Sequence, residues 1–269
     1  MRLRLAVAAL ILGACAGPAA ADADTPPSAP LPPLIQQGEA FHMTFDTPAL
    51  DAWRVSDRDP SGAWMNCALS REQVMAGGGR VTLGLEAVPY RGAPLSCGEI
   101  QSRARYGHGT YEARMRTTAK SGTIGAFFTY VGPVNGKPHD EIDVELLGRY
   151  PRQVSPNSYV DGKAAGLERF KLDGEISDFH TYTFVWERDA ITWYVNGRRM
   201  AETRDPAHLP KTAQMIFFSI WSTDQLTDWM GELGAVDERL TVDVDWVAYT
   251  PLGEACHYAQ DAAGSYLCR

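Results

Sequence analysis

Through most of this chain apolar and polar residues alternate with a period of two, a pattern that suits strands of a layered sheet and little else. "RVTLGLEAV" (80–88), "GTYEARMRT" (109–117) and "LTVDVDWVAYT" (240–250) each put every second side chain on one face. "HTYTFVWERDAITWYVNGRRM" (180–200) holds two such runs around a short turn, and Asn196-Gly197 offers a second turn. "TIGAFFTYV" (123–131) and "AQMIFFSIWS" (213–222) are β-rich and aromatic. No segment sustains a long 3.6-residue apolar period, so helices do not alternate with the strands. Many strands joined by loops predict an all-β fold, a sandwich or jelly roll.

The 269 residues carry a formal charge of −8 and no basic run, which excludes nucleic acid and anionic membrane surfaces as partners. Residues 1–23 read as a signal peptide: Arg2 and Arg4, an apolar run from Leu5 to Leu12 too short to span a bilayer, then small residues up to Ala21 or Ala23. The competing reading of "LGAC" is a lipoprotein box that would anchor the chain through Cys15. Both imply export, secreted or periplasmic. Residues 24–39 are proline-dense and read as an extended linker. One domain, 40–251, follows, and 252–269 forms a C-terminal tail. An exported chain forms disulfides. Cys67, Cys97, Cys256 and Cys268 allow three pairings, and proximity favours Cys67–Cys97 and Cys256–Cys268, the latter clipping the tail. A monomer is the default.

"HDEIDVELLG" (139–148) sets three carboxylates, Glu141, Asp143 and Glu145, on one side of a strand and Ile142, Val144 and Leu146 on the other. The bland reading is a solvated edge strand. Against it stand the aromatic weight of the flanking segments (Phe127, Phe128, Tyr130, Tyr159, Trp221, Trp229) and the lack of any Lys or Arg on the acidic face. At ~3.3 Å per residue the Glu141 and Glu145 Cα atoms lie roughly 13 Å apart. Two glutamate arms leaning together on a curved sheet bring their carboxyls to about 5–6 Å, the separation of a retaining glycosidase. One carboxylate then attacks a sugar while the other, protonated, donates to the leaving oxygen. Asp143 between them can hydrogen-bond the nucleophile, and its charge can hold the acid's pKa up. A metal site in "HDEID" is disfavoured, because adjacent residues point to opposite faces.

The motif resembles the active-site strand of glycoside hydrolase family 16, with its Glu-x-Asp-x-Glu pattern. The resemblance extends through "CGEIQSRARYGHGTYEARM", "GAFFTYVGPVNGKPHDEID", "FHTYTFVWERDAITWYVNG" and "DWVAYT", about residues 41 to 250. It implies a curved, concanavalin-like jelly roll with a concave substrate cleft and retaining hydrolysis of internal β-glycosidic bonds. It makes Glu141 the nucleophile, Asp143 the assisting acid and Glu145 the acid/base. It also implies Glu99, Gln101, Tyr130, His139, Asn157, Tyr159, Trp221 and Trp229 as cleft residues, with core packing as the competing reading for the aromatics. Cys67 and Cys97 match a disulfide of the lichenase-type members. Asp245 matches a calcium ligand of some, although an ordinary structural Asp reads as well. Catalysis needs no cofactor, and a structural calcium is the only one implied.

Two departures concern the substrate: His139 replaces a Trp typical of lichenases, and Gln101 replaces an Arg. "CGEIQ", "KPHDEID", "TDWMG" and the cysteine-bearing tail look most like the endo-β-1,3-1,4-glycanases that trim bacterial exopolysaccharide such as succinoglycan. In a branched, acid-decorated polymer of that type, His139 is expected to make a polar contact to a substituent. Lichenase or laminarinase action on plain β-glucans, transglycosylation, and a non-catalytic carbohydrate-binding jelly roll are the alternatives.

Overall fold

The computed structural model describes residues 30–254 except 61 and 63. The leader, Cys15 and the Cys256–Cys268 pair lie outside the described residues. Among the described residues the strands form two stacked sheets, one of ten and one of eight. The larger includes Val81–Glu86, Gly109–Thr117, His180–Trp186, Ile191–Val195 and Leu240–Pro251. The smaller is built on Glu99–Ser102, Thr123–Val131, Asp140–Leu147, Gln153–Val160 and Met215–Ser222, with Trp53–Val55 at one edge. These neighbours pair antiparallel. The all-β expectation holds, with one α-helix of a single turn, Thr227–Met230, and three short 3-10 turns among the described residues.

Each strand buries one face between the sheets. Ile142, Val144 and Leu146 of the acidic strand meet Phe127, Phe184, Ile216 and Phe218 in one core, all nearly inaccessible. Removing that apolar area from water supplies the stabilisation that holds the opposite face in place. Trp193 of the larger sheet reaches across the core and donates its indole N–H to the Asp143 backbone carbonyl at 2.9 Å.

The Cys67–Cys97 pairing is present, with a Cα–Cα distance of 5.8 Å, and joins two short parallel strands of the larger sheet. One residue later the chain passes into the smaller sheet, so Gly98 is the crossing point between Leu95–Cys97 and Glu99–Ser102. A Cβ at Gly98 would lie 2.6 Å from the Gln73 carbonyl oxygen, so the crossing admits only glycine.

The described part of the proline-dense segment 24–39 touches the domain that follows it. Ile35 packs against the core, its N–H donates to His108 Nδ1 at 2.8 Å, and its carbonyl accepts from His108 N–H. Gln37 accepts from Gly107 N–H and the Tyr249 hydroxyl. Composition missed this because backbone groups make most of the contacts, and proline density says nothing about those.

Candidate active site

The acidic strand is a central strand of the smaller sheet, bonded on one side to Thr123–Val131 and on the other to Gln153–Val160. That removes the edge-strand reading. Residues paired in register share a face, so the partners of the three acids can be followed across the sheet. Glu141 lies between Tyr159 and Tyr130, with Met215 beyond. Asp143 lies in line with Asn157, Phe128, Phe217, Gln101 and Arg54. Glu145 lies in line with Ser155, Ala126, Ser219 and Glu99. Trp221 follows opposite Ile124. The predicted cleft residues carried by these strands therefore share the face of the three acids.

The rows differ in character. Around Asp143, Phe128 and Phe217 stack at 4.9 Å and form an apolar floor. Around Glu145 the neighbours are small, and the depression they leave opens into a groove of about 660 Å³. The groove is lined by Glu145, Ser155, Asn157, Tyr159, Arg169 and Trp229, among others. At its end Trp229 approaches Trp221 at 6.3 Å, and Trp221 meets Trp64 edge-on at 5.0 Å. Arg169 stacks over Tyr150 at 4.2 Å and donates to Gln153 Oε1 at 3.1 Å. Asn157 accepts from Gly166 N–H at 3.2 Å, which ties the neighbouring loop to the groove wall.

Burial next to other acids sets the electrostatics. Glu145 is pushed up to about 8, first by loss of hydration and then by the charge of Glu141. Asp143 is buried and raised well above the usual carboxylate range by burial, by the charges of Glu141 and Glu145, and by a hydrogen bond with Glu141. Asp143 stands between the two glutamates on that face.

His139 stands immediately before the strand. Its Nε2 lies 2.6 Å from Glu141 Oε2, its ring stacks on Tyr159 at 5.0 Å and 13°, and Tyr130 meets it edge-on at 5.1 Å. Nε2 of His139 is thus directed at Glu141. Glu99 is engaged in a similar way: it is 7% exposed, and its Oε1 accepts from Ser56 at 2.6 Å and Arg58 at 3.3 Å. Gln101 reaches toward Ser56 at 3.5 Å. Asp245 pairs with Arg114 at 2.6 Å. A guanidinium at that distance does not fit a divalent cation there, and among the described residues no three His, Cys, Asp or Glu side chains converge as metal ligands.

Residues 61–248 match the sequence model for glycosyl hydrolases family 16, and the chain belongs to that family. It is 44% identical over 228 residues to the endo-1,3-1,4-beta-glycanase ExoK of Rhizobium meliloti, covering 84% of each chain. It is 34% identical to a beta-glucanase of Bacillus amyloliquefaciens over 80% of this chain and 88% of that one. Among solved structures, the Bacillus licheniformis beta-glucanase superposes with a TM-score of 0.75 at 31% identity, covering 80% of this chain and 99% of that one. The enzyme is a glycoside hydrolase with a jelly-roll fold, which sets aside the non-catalytic binding module.

Proposed function

We propose that this protein is a retaining endo-1,3-1,4-β-glycanase acting on an acid-decorated exopolysaccharide of the succinoglycan type. The observation that carries the mechanism is three acids on one face of a central strand, with Glu145 and Asp143 pushed up by burial and the charge of Glu141, and His139 Nε2 2.6 Å from Glu141 Oε2. Glu141 attacks the anomeric carbon. The bond from that carbon to the bridging oxygen breaks, and the oxygen leaves with the proton of Glu145. The glycosyl ester cancels the charge of Glu141, the second cause of the raised Glu145 value. Glu145 then acidifies and takes a proton from the water that attacks the anomeric carbon, and Glu141 departs as carboxylate.

Three observations support the substrate class. Sequence identity is higher to the Rhizobium glycanase than to the Bacillus beta-glucanases. His139 and Gln101 depart from the lichenase pattern. Arg169 brings a cation, held by Tyr150 and Gln153, to the groove beside Glu145. The test is polymer length by size exclusion after incubation with succinoglycan, barley mixed-linkage glucan and laminarin, with Glu141→Gln as control. Rapid shortening of succinoglycan, absent in the control, is the expected outcome. Cleavage of barley glucan alone would keep the mechanism and overturn the substrate.

A further inference from the structure

We infer that His139 is a positioning residue for the nucleophile: its imidazole N–H holds one oxygen of Glu141 so that the other faces the anomeric carbon, and it stabilises the carboxylate that leaves when the glycosyl ester is hydrolysed. This rests on the assignment of Glu141 as nucleophile. The geometry is that of a clamp. The ring is fixed face-on by Tyr159 and edge-on by Tyr130. Its backbone carbonyl accepts from Gly162 N–H at 2.9 Å, and that glycine passes close to Nδ1, where a Cβ would lie 3.8 Å away. With ring and backbone both held, Nε2 has one direction left, toward Glu141 Oε2 at 2.6 Å.

The groups facing the imidazole are Glu141 and Asp140 from its own segment and the phenols of Tyr130 and Tyr159 from the flanking strands. The hydrogen bond that the imidazole donates to Glu141 raises it above its ordinary value, and the Glu141 and Asp140 charges add to the rise. In the glycosyl ester the Glu141 charge is gone and the imidazole releases its proton more readily. When water cleaves the ester, the proton is held again and the departing carboxylate regains its donor. Asp143 stands on the same face as Glu141, two residues along the strand.

The test uses an aryl β-glycoside of the cleaved disaccharide unit, with burst kinetics to separate formation of the ester from its hydrolysis. Mass spectrometry of the trapped ester identifies the labelled residue. His139→Phe keeps an aromatic ring against Tyr159 and removes the donor. His139→Gln keeps an N–H donor that does not titrate. For His139→Phe the expected result is a loss in the ester-hydrolysis rate of roughly tenfold to a hundredfold, the range of one charge-assisted hydrogen bond, with KM for the aryl glycoside falling alongside kcat. The titration of the His139 imidazole disappears from the pH profile. His139→Gln restores most of the rate, and its profile lacks the imidazole titration.

A KM increase at unchanged kcat and unchanged pH profile in His139→Phe would overturn the inference and make His139 a substrate contact. Equal losses in both variants, at unchanged melting temperature, would also overturn it. A label on a residue other than Glu141 would instead overturn the nucleophile assignment. If His139→Phe fails to fold, the profile of His139→Gln decides alone: retention of the wild-type imidazole titration refutes the role.

Discussion

Replacing Glu145 with Gln removes a titration that the fold resists. Burial and the charge of Glu141 raise this carboxyl from 4.5 to about 8, so between those values the folded chain holds a proton that the unfolded chain has released. Its contribution to stability is therefore complete below pH 4.5 and is lost as pH rises toward 8, with a limiting slope of about 1.4 kcal/mol per pH unit. The side chain keeps some contact with solvent, which narrows the window from its upper end and leaves the slope unchanged. From about pH 5.5 to about pH 7.5 that amounts to about 2 kcal/mol, or roughly 4–8 °C of melting temperature for a domain of this size. Glu145→Gln lacks this term, so its melting temperature should gain on the wild type by that amount across the window. Thermal melts in a buffer series of constant ionic strength measure the gap. Parallel curves would show that Glu145 is solvated, and the proton that the mechanism needs at neutral pH would have no source. The same proton sets the alkaline limb of wild-type kcat/KM, which falls about tenfold per pH unit above about pH 8. Because Glu145 interacts with Glu141 and Asp143, the limb belongs to the group of three rather than to one carboxyl.

Arg169→Ala should raise KM on the acid-substituted polymer about two- to fivefold and leave barley glucan unaffected, since an exposed charge contact contributes up to about 1 kcal/mol. The difference should shrink in high salt, and equal effects on both polymers would remove Arg169 from substrate recognition. Replacing Cys67 and Cys97 together by Ser opens a loop with a sequence separation of 30, and loop-closure entropy puts the loss at about 3–4 kcal/mol. Melting temperature should drop by about 10 °C, with activity at 25 °C retained if the crossing at Gly98 survives. A drop under about 2 °C would mean that the surrounding core alone fixes the crossing.

The parts of this molecule that could be read in its sequence are those in which chemistry repeats along one strand. Alternation located the sheets, and Glu141, Asp143 and Glu145 were placed on one face by spacing alone. Tyr130 and Tyr159 came from resemblance, and the register sets them either side of Glu141. What escaped was determined across strands. Met215, Phe217 and Ser219 fall on the acidic face by the same alternation that exposes Trp221. The segment "MIFFSIWS" is so uniformly apolar that its two faces look alike. Trp64 sits in a loop before Cys67, where no periodicity points to it. Arg58 and Ser56, which occupy Glu99, are more than forty residues away from it in sequence. The contact between His139 and Glu141 was closer at hand, because residues two apart in an extended segment share a face. The lichenase comparison directed the imidazole toward a substrate substituent instead.

The two faces of the acidic strand do different work, and the second makes the first possible. Crowding three carboxyls into a partly dry row is unfavourable, and a flexible strand would relieve it by turning the acids outward to water. This strand cannot turn. Ile142, Val144 and Leu146 are buried against the opposite sheet, and the Trp193 indole holds the Asp143 carbonyl from across the core. Such a platform lets burial shift the protonation of Glu145 and Asp143 without the backbone relaxing away. The small side chain of Ser155 lines the groove beside Glu145, where a leaving oxygen must sit. The reactivity of the row therefore depends on apolar residues that no sugar touches. A cavity opened at Val144 should change the pH profile before it unfolds the chain.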